Sequence, residues 1–224
     1  MEEEEDVWPF KRRKITKSME EEEDIPSRKK IPVTMIVLYD GLTDAIGTYS
    51  DELPWTSVPD EVATYIMSKV REPSDPMKRN GVIIGRNMFQ EVMKEKCIPG
   101  CLTGVLSTRF SLHGRDTKLM RTAPTFPELY KEFEKERDIE NIYVIGGAQT
   151  FQDMMPHTDF FIGIVYNPPE DVIRLSDAID HPEKSIRKGF DYVISFRHRF
   201  AEIDRTNRIP LALYLDVRFF DRIP

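Results

Sequence analysis

Cysteine and histidine are scarce in this chain, with two and four in 224 residues. Cys97 and Cys101 flank Ile-Pro-Gly with no histidine near, so their spacing suggests neither a zinc site nor a disulfide framework, and both read as free thiols. Long apolar runs are missing as well. The longest, Phe160 to Tyr166, is far below the roughly 20 residues of a membrane-crossing helix. No apolar segment follows the first methionine in the manner of a signal peptide, so the expected location is cytoplasmic, nuclear or both. Positive charge is in deficit, 32 Lys and Arg against 39 Asp and Glu, and the net −7 argues against nucleic-acid binding by the chain as a whole. The chain is expected to be a monomer with no metal and no membrane partner.

What is present is enough apolar residue, 40%, for one core of ordinary domain size. The first 30 residues stand apart from it. They hold two copies of Met-Glu-Glu-Glu-Glu-Asp, at Met1 to Asp6 and Met19 to Asp24, each followed by a basic cluster. Such charge blocks bury little, so residues 1–30 are expected to be a disordered tail, with the folded domain over 31–224. Lys11-Arg12-Arg13-Lys14 reads either as a nuclear import signal or as a solvated charge run. Trp8 and Phe10 read as a short docking motif for a protein partner or as stray aromatics.

Within the domain, Val33 to Tyr39 is apolar and β-branched enough for a buried first strand that Asp40-Gly41 ends. Val62, Tyr65, Ile66 and Val70 give one apolar helix face beginning near Pro59, behind the corner Leu53-Pro54-Trp55. Glu61 falls in that helix's first turn. It is either an ordinary surface acid favoured by the helix dipole or, facing an apolar pocket, a proton donor with a raised pKa. Gly81 to Ile84 is a second strand, and Gly85-Arg86-Asn87 leads into a helix with the apolar face Phe89, Val92 and Met93. A glycine turn between a parallel strand and a helix suits an anion, and Arg86 adds charge.

Thr103 to Leu106 is a third strand, with Ser107-Thr108-Arg109 at its carboxyl end, where open α/β sheets bind ligands. Leu119 and Met120 form a short strand before Arg121. Thr125-Phe-Pro-Glu128 reads as a capping box for a helix burying Phe126, Leu129, Tyr130 and Phe133. Ile142 to Ile145 enters Gly146-Gly147-Ala148 and a helix with Phe151 and Met154; adjacent glycines allow close backbone approach without making a Rossmann fingerprint. Phe160 to Tyr166 is a further strand. Alternation over Tyr192 to Phe200 and Leu211 to Phe219, with a turn at Asp204 to Asn207, predicts a closing antiparallel hairpin. The pattern is α/β: a mixed, mainly parallel sheet with helices on both faces.

This order, with Ile46-Gly47, Leu53-Pro54-Trp55, Glu61, Gly85-Arg86, Leu106-Ser107-Thr108 and Gly146-Gly147 at these intervals, resembles dihydrofolate reductase over about residues 32–220. The resemblance implies that family's three-layer fold and NADPH as cofactor. It implies that Glu61 holds the pterin's amino group and ring nitrogen, and that Trp55 positions a water near it. Leu38 and Tyr65 would flank the substrate with Glu61. Ile46 and Gly47 would open a mobile loop over the nicotinamide. Gly85, Arg86, Ser107, Thr108, Arg121, Gly146, Gly147 and Ala148 would hold NADPH, the arginines meeting its phosphates.

Four positions depart from the family pattern. Cys101 stands where an arginine would grip the folate tail, and Ile164 near where a threonine would bond the acid. Leu38 or Tyr39 replaces a small alanine, and Met88 a threonine. Two readings follow: an NADPH-dependent reductase of dihydrofolate or a related pterin-like substrate, and a catalytically weak or inactive reductase-fold protein serving as a nuclear interaction module.

Overall fold

The computed structural model describes residues 30–41, 44–47, 60–109, 117–167, 192–193, 196–197, 199–203, 208–212 and 215–223. Contacts divide the chain at Lys30 and Ile31. Residues 1–29 of the expected tail, with its basic run Lys11 to Lys14, Trp8 and Phe10, lie outside the described residues.

Strand β1 (Val33–Asp40) shows why the first apolar run is continuous rather than alternating. Val33, Met35, Val37 and Tyr39 enter one apolar cluster while Ile36 and Leu38 face another, so both faces of the strand are covered. Around it are β2 (Ala45–Gly47), β3 (Arg79–Gly85), β4 (Leu102–Leu106), β5 (Met120–Ala123), β6 (Ile139–Gly146), β7 (Phe160–Tyr166), β8 (Tyr192–Val193), β9 (Phe200–Glu202), β10 (Ile209–Ala212) and β11 (Leu215–Arg222). The main sheet runs β10-β11-β7-β1-β6-β3-β4-β5, with β9 also on β11. From β7 to β5 every pairing is parallel, and β11 joins β7 antiparallel.

Helix α1 (Asp60–Arg71) buries Val62 and Val70 in the cluster of Ile36, Val82 and Ile164 on one face of the sheet. Helices α2 (Phe126–Lys135) and α3 (Ala148–Met154) bury Leu129, Phe133, Phe151 and Met154 on the other. The three layers expected from the sequence are present. Close approach of α2 depends on glycine: at Gly81 and Gly104 a Cβ would fall 2.6 and 2.8 Å from the Phe133 ring. Tyr39 likewise lies across β7 at Gly163, where a Cβ would come within 2.7 Å of its ring. Among the described residues no helix is long and apolar enough to cross a membrane.

Three local expectations are corrected. The helix after Gly85-Arg86 is a single π-turn, Met88–Val92, closed by Met93 N–H donating to Met88 O at 3.0 Å. The wider turn buries Phe89 but leaves Val92 70% exposed, so Val92 is not part of an apolar face. The Thr125 side chain makes no cap hydrogen bond; its carbonyl accepts from Leu129 N–H at 3.1 Å, and proline supplies the pre-set first turn instead.

The alternating run Tyr192 to Phe200 is not one strand. Tyr192–Val193 pairs antiparallel with β2 in a separate two-stranded sheet. Phe196 turns inward to stack on Phe161 at 4.4 Å, and Phe200 starts β9. The antiparallel ending itself is present, with β9 and β10 both against β11, but the last strand spans Leu215–Arg222 rather than Leu211 to Phe219. Residues 204–207, expected as its turn, lie outside the described residues.

Candidate functional site

The carboxyl ends of β3, β4 and β6 frame a cleft of about 360 Å³. Each strand contributes its terminal turn, as parallel sheets do when connections leave on the same edge. Of the residues assigned to NADPH by resemblance, six meet here: Gly85, Arg86, Ser107, Thr108, Gly147 and Ala148. Gly85 is required by packing, since a Cβ would sit 2.4 Å from Thr150 Oγ1 of α3. Gly147 differs. Its φ of −79° is open to any residue and a Cβ would meet nothing within 4 Å, so neither conformation nor packing explains glycine there. A bare backbone facing a cleft does leave room for a ligand. Ser107 is buried, and its Oγ accepts from Arg109 N–H at 3.1 Å. Half-buried Arg86 donates from Nε to Gln90 Oε1 at 2.6 Å.

The remaining assigned residues lie elsewhere. Gly146 sits just behind the lining at the end of β6, with φ +122° and its Cβ position 3.2 Å from the Phe151 ring. Ile46 and Gly47 belong to β2, and Ile46 is buried in the core beside Tyr39 and Phe196. Just before them Arg197 forks onto Asp44, with Nε to Oδ2 at 2.7 Å and Nη2 to Oδ1 at 2.6 Å. Arg121 does not reach the cleft. Its guanidinium pairs with Glu136 Oε1 at 2.5 Å and donates to the carbonyls of Thr117 and Met120. Glu136 also holds Arg79 at 3.2 Å, so Arg121 is committed to an ion-pair group between β3, β5 and the end of α2.

On the substrate side, Leu38 is half-buried beneath α1 in register with fully buried Ile164, and half-buried Tyr65 packs in the same cluster. Tyr39 points to the opposite face, against Phe161 and Phe196, so of the two it is Leu38 that shares the α1 side. Glu61 is exposed in the first turn of α1. Trp55 and residues 48–59 lie outside the described residues. Cys101 is wholly buried, with its thiol donating to Val70 O at 3.1 Å.

Burial pushes Cys101 up from 9.0 to about 11, and Tyr39 and Tyr65 from 10.0 to about 12. The Oη atoms of Tyr39 and Tyr65 are buried with no hydrogen-bond partner among the described residues. Below about pH 8 all three groups are protonated in folded and unfolded chain alike, and their full contribution to stability is present. As pH rises the unfolded chain ionises first, so stability should fall between about pH 9 and about pH 12. Each group contributes roughly 1.4 kcal/mol to that fall for every pH unit by which folding raises its pKa. Urea midpoints at about pH 8 and about pH 11 test this, and equal midpoints would refute it.

The sequence pattern assigns no role to Asn87, Leu106, Pro124, Gln149, Thr150 and Asp153, all of which line the cleft. A signal exists for two of them. Thr150 and Asp153 stand three apart on the helix opened by Gly147, a spacing that puts them on one face.

No family model matches the chain. The dihydrofolate reductase of Drosophila melanogaster is 31% identical over 106 residues, covering 46% of this chain and 56% of the relative. That of Saccharomyces cerevisiae is 27% identical over 146 residues, 62% of this chain and 67% of the relative. The match thus spans little more than half the length of the fruit-fly protein. Among solved structures, a dihydrofolate reductase from Enterococcus faecalis complexed with NADP(H) and RAB-propyl is similar at TM-score 0.55 and 18% identity, over 86% of this chain and 97% of that one. At that identity the likeness speaks for the fold, and it agrees with the strand order described above.

Proposed function

We propose that the chain is a divergent member of the dihydrofolate reductase family and an NADPH-dependent reductase of dihydrofolate or a related pterin-like substrate. The observation that carries this reading is the cleft, where Gly85, Arg86, Ser107, Thr108, Gly147 and Ala148 converge from three separate strands. Its donors fit a phosphorylated dinucleotide. Arg86 and Arg109 bring fixed positive charge, Ser107 and Thr108 bring hydroxyls, and Gly147 leaves backbone open to close approach.

Bound NADPH supplies a hydride donor. Glu61 is assigned the pterin's amino group and ring nitrogen and, with a water beside Trp55, the proton supply. Leu38 and Tyr65 are assigned the flanks of the ring. The alternative of an inactive interaction module draws no support from the relatives found.

Calorimetric titration with NADPH and NADH tests the cofactor half directly. NADPH should bind at least about tenfold more tightly, a difference of about 1.4 kcal/mol, because only it brings the additional phosphate to the cleft's arginines. Equal affinities, or no heat with either nucleotide, would refute the reading.

A further inference from the structure

Arg86 does not hold its place in the cleft unaided. Its Nε–H donates to Gln90 Oε1 at 2.6 Å, and Gln90 Nε2–H donates to Glu95 Oε1 at 3.2 Å. A side-chain amide has one accepting and one donating end, whereas an ionised carboxylate only accepts. Glu95 therefore takes the donating end of Gln90 and turns its oxygen toward Arg86. A guanidinium fixed through Nε keeps its two terminal nitrogens for a planar, two-pronged contact with an anion.

The backbone takes an unusual course to bring Glu95 there. Five residues along a regular α-helix, Gln90 and Glu95 would stand about 140° apart around the axis and could not touch. Here the π-turn Met88–Val92 is followed by two consecutive non-glycine residues in the left-handed region, Lys94 at φ 49° and Glu95 at φ 59°. Glu95 N–H then donates to Phe89 O at 2.9 Å, which folds the segment back on the turn. Left-handed conformations of this kind are costly for L-residues and persist where surrounding structure imposes them, often at ligand sites.

We propose that Gln90 and Glu95 are positioning residues that orient the Arg86 guanidinium toward a phosphate group of the cofactor, an inference that rests on the NADPH reading above. Calorimetry with NADPH on wild type, Gln90→Leu, Gln90→Glu and Glu95→Ala tests it, together with NMR of the arginine Nε–H resonances in the ligand-free proteins. Gln90→Leu, which keeps side-chain volume but removes the acceptor, should lose about tenfold in affinity. Glu95→Ala should lose about threefold, and Gln90→Glu, which retains an acceptor for Nε–H, should stay within about threefold of wild type. The Arg86 Nε–H signal should be protected from exchange in wild type and Gln90→Glu and lost in Gln90→Leu.

Wild-type affinity in Gln90→Leu, or an equal loss in Gln90→Leu and Gln90→Glu, overturns the positioning role and leaves the NADPH reading standing. Absence of NADPH binding in the wild type overturns both. Should Gln90→Leu fail to fold, Glu95→Ala carries the same test, and an unchanged affinity with an unchanged Nε–H signal overturns the inference.

Discussion

Glu61→Gln is expected to reduce steady-state turnover by about 100-fold or more while leaving NADPH affinity within about twofold. The substitution keeps shape and hydrogen-bonding reach but removes the carboxyl group to which proton supply is assigned. The two halves of the prediction separate because the two sites are built on different elements. Glu61 opens α1, whereas the cleft assigned to NADPH is made from the ends of β3, β4 and β6. Turnover is read from loss of NADPH absorbance with dihydrofolate, and affinity from calorimetry on the same preparations. A variant with wild-type turnover would remove Glu61 from the mechanism, and one that loses both activities would point to a folding defect.

Cys101→Arg should destabilise the protein by several kcal/mol. Family resemblance alone favours the opposite outcome, a restored grip on a folate tail carboxylate. The structure gives the reason for the reversal: Cys101 has no exposed surface, and its thiol with Asn80 Nδ2, at 3.1 and 3.2 Å, satisfies the Val70 carbonyl in the last turn of α1. Arginine there removes one of those donors and places a guanidinium in the apolar cluster of Val70 and Ile98, where the neighbouring charges acting on the site, Arg71 and Arg79, are of its own sign. Breaking the balance of a buried charge costs roughly 3–5 kcal/mol, equivalent to a fall of about 10 °C in Tm for a domain of this size. Thermal and urea denaturation measure it. An unchanged Tm accompanied by tighter dihydrofolate binding would show that the side chain escapes to solvent and does what the family's arginine does.

These two residues also show what the sequence could and could not convey. The buried strands β1, β3, β4, β6 and β7 were legible because both of their faces are covered, which forces continuous apolar runs such as Val33 to Tyr39. The carboxyl-terminal part was legible only as strand-like. Alternation is a local property and does not name a partner, so nothing in Tyr192 to Phe200 announced that Val193 pairs with Ala45 or that Phe196 leaves the strand to stack on Phe161.

The same limit governs the site. Glycines and the arginine immediately after strands could be placed, since a strand's end and the next turn are adjacent in sequence. Arg121 also follows a strand start, yet Glu136, fifteen residues on, holds it elsewhere, a contact that only folding creates. Burial of Cys101 was illegible for the same reason: Pro-Gly-Cys-Leu looks like a surface turn until α1 covers it.

Tyr39 and Gly163 form a matched pair of volumes whose consequence reaches beyond this chain. The ring occupies the space that a side chain on β7 would otherwise fill, with its Cε1 2.7 Å from where a Cβ at 163 would stand. Neither position is therefore free to drift independently. A lineage that shrinks residue 39 opens a void that enlargement at 163 can refill, whereas enlargement at 163 first has no room to occur. Substitutions at the two sites should covary in order as well as in size, and grafting either residue alone from a relative into this background transfers half of a two-part fit.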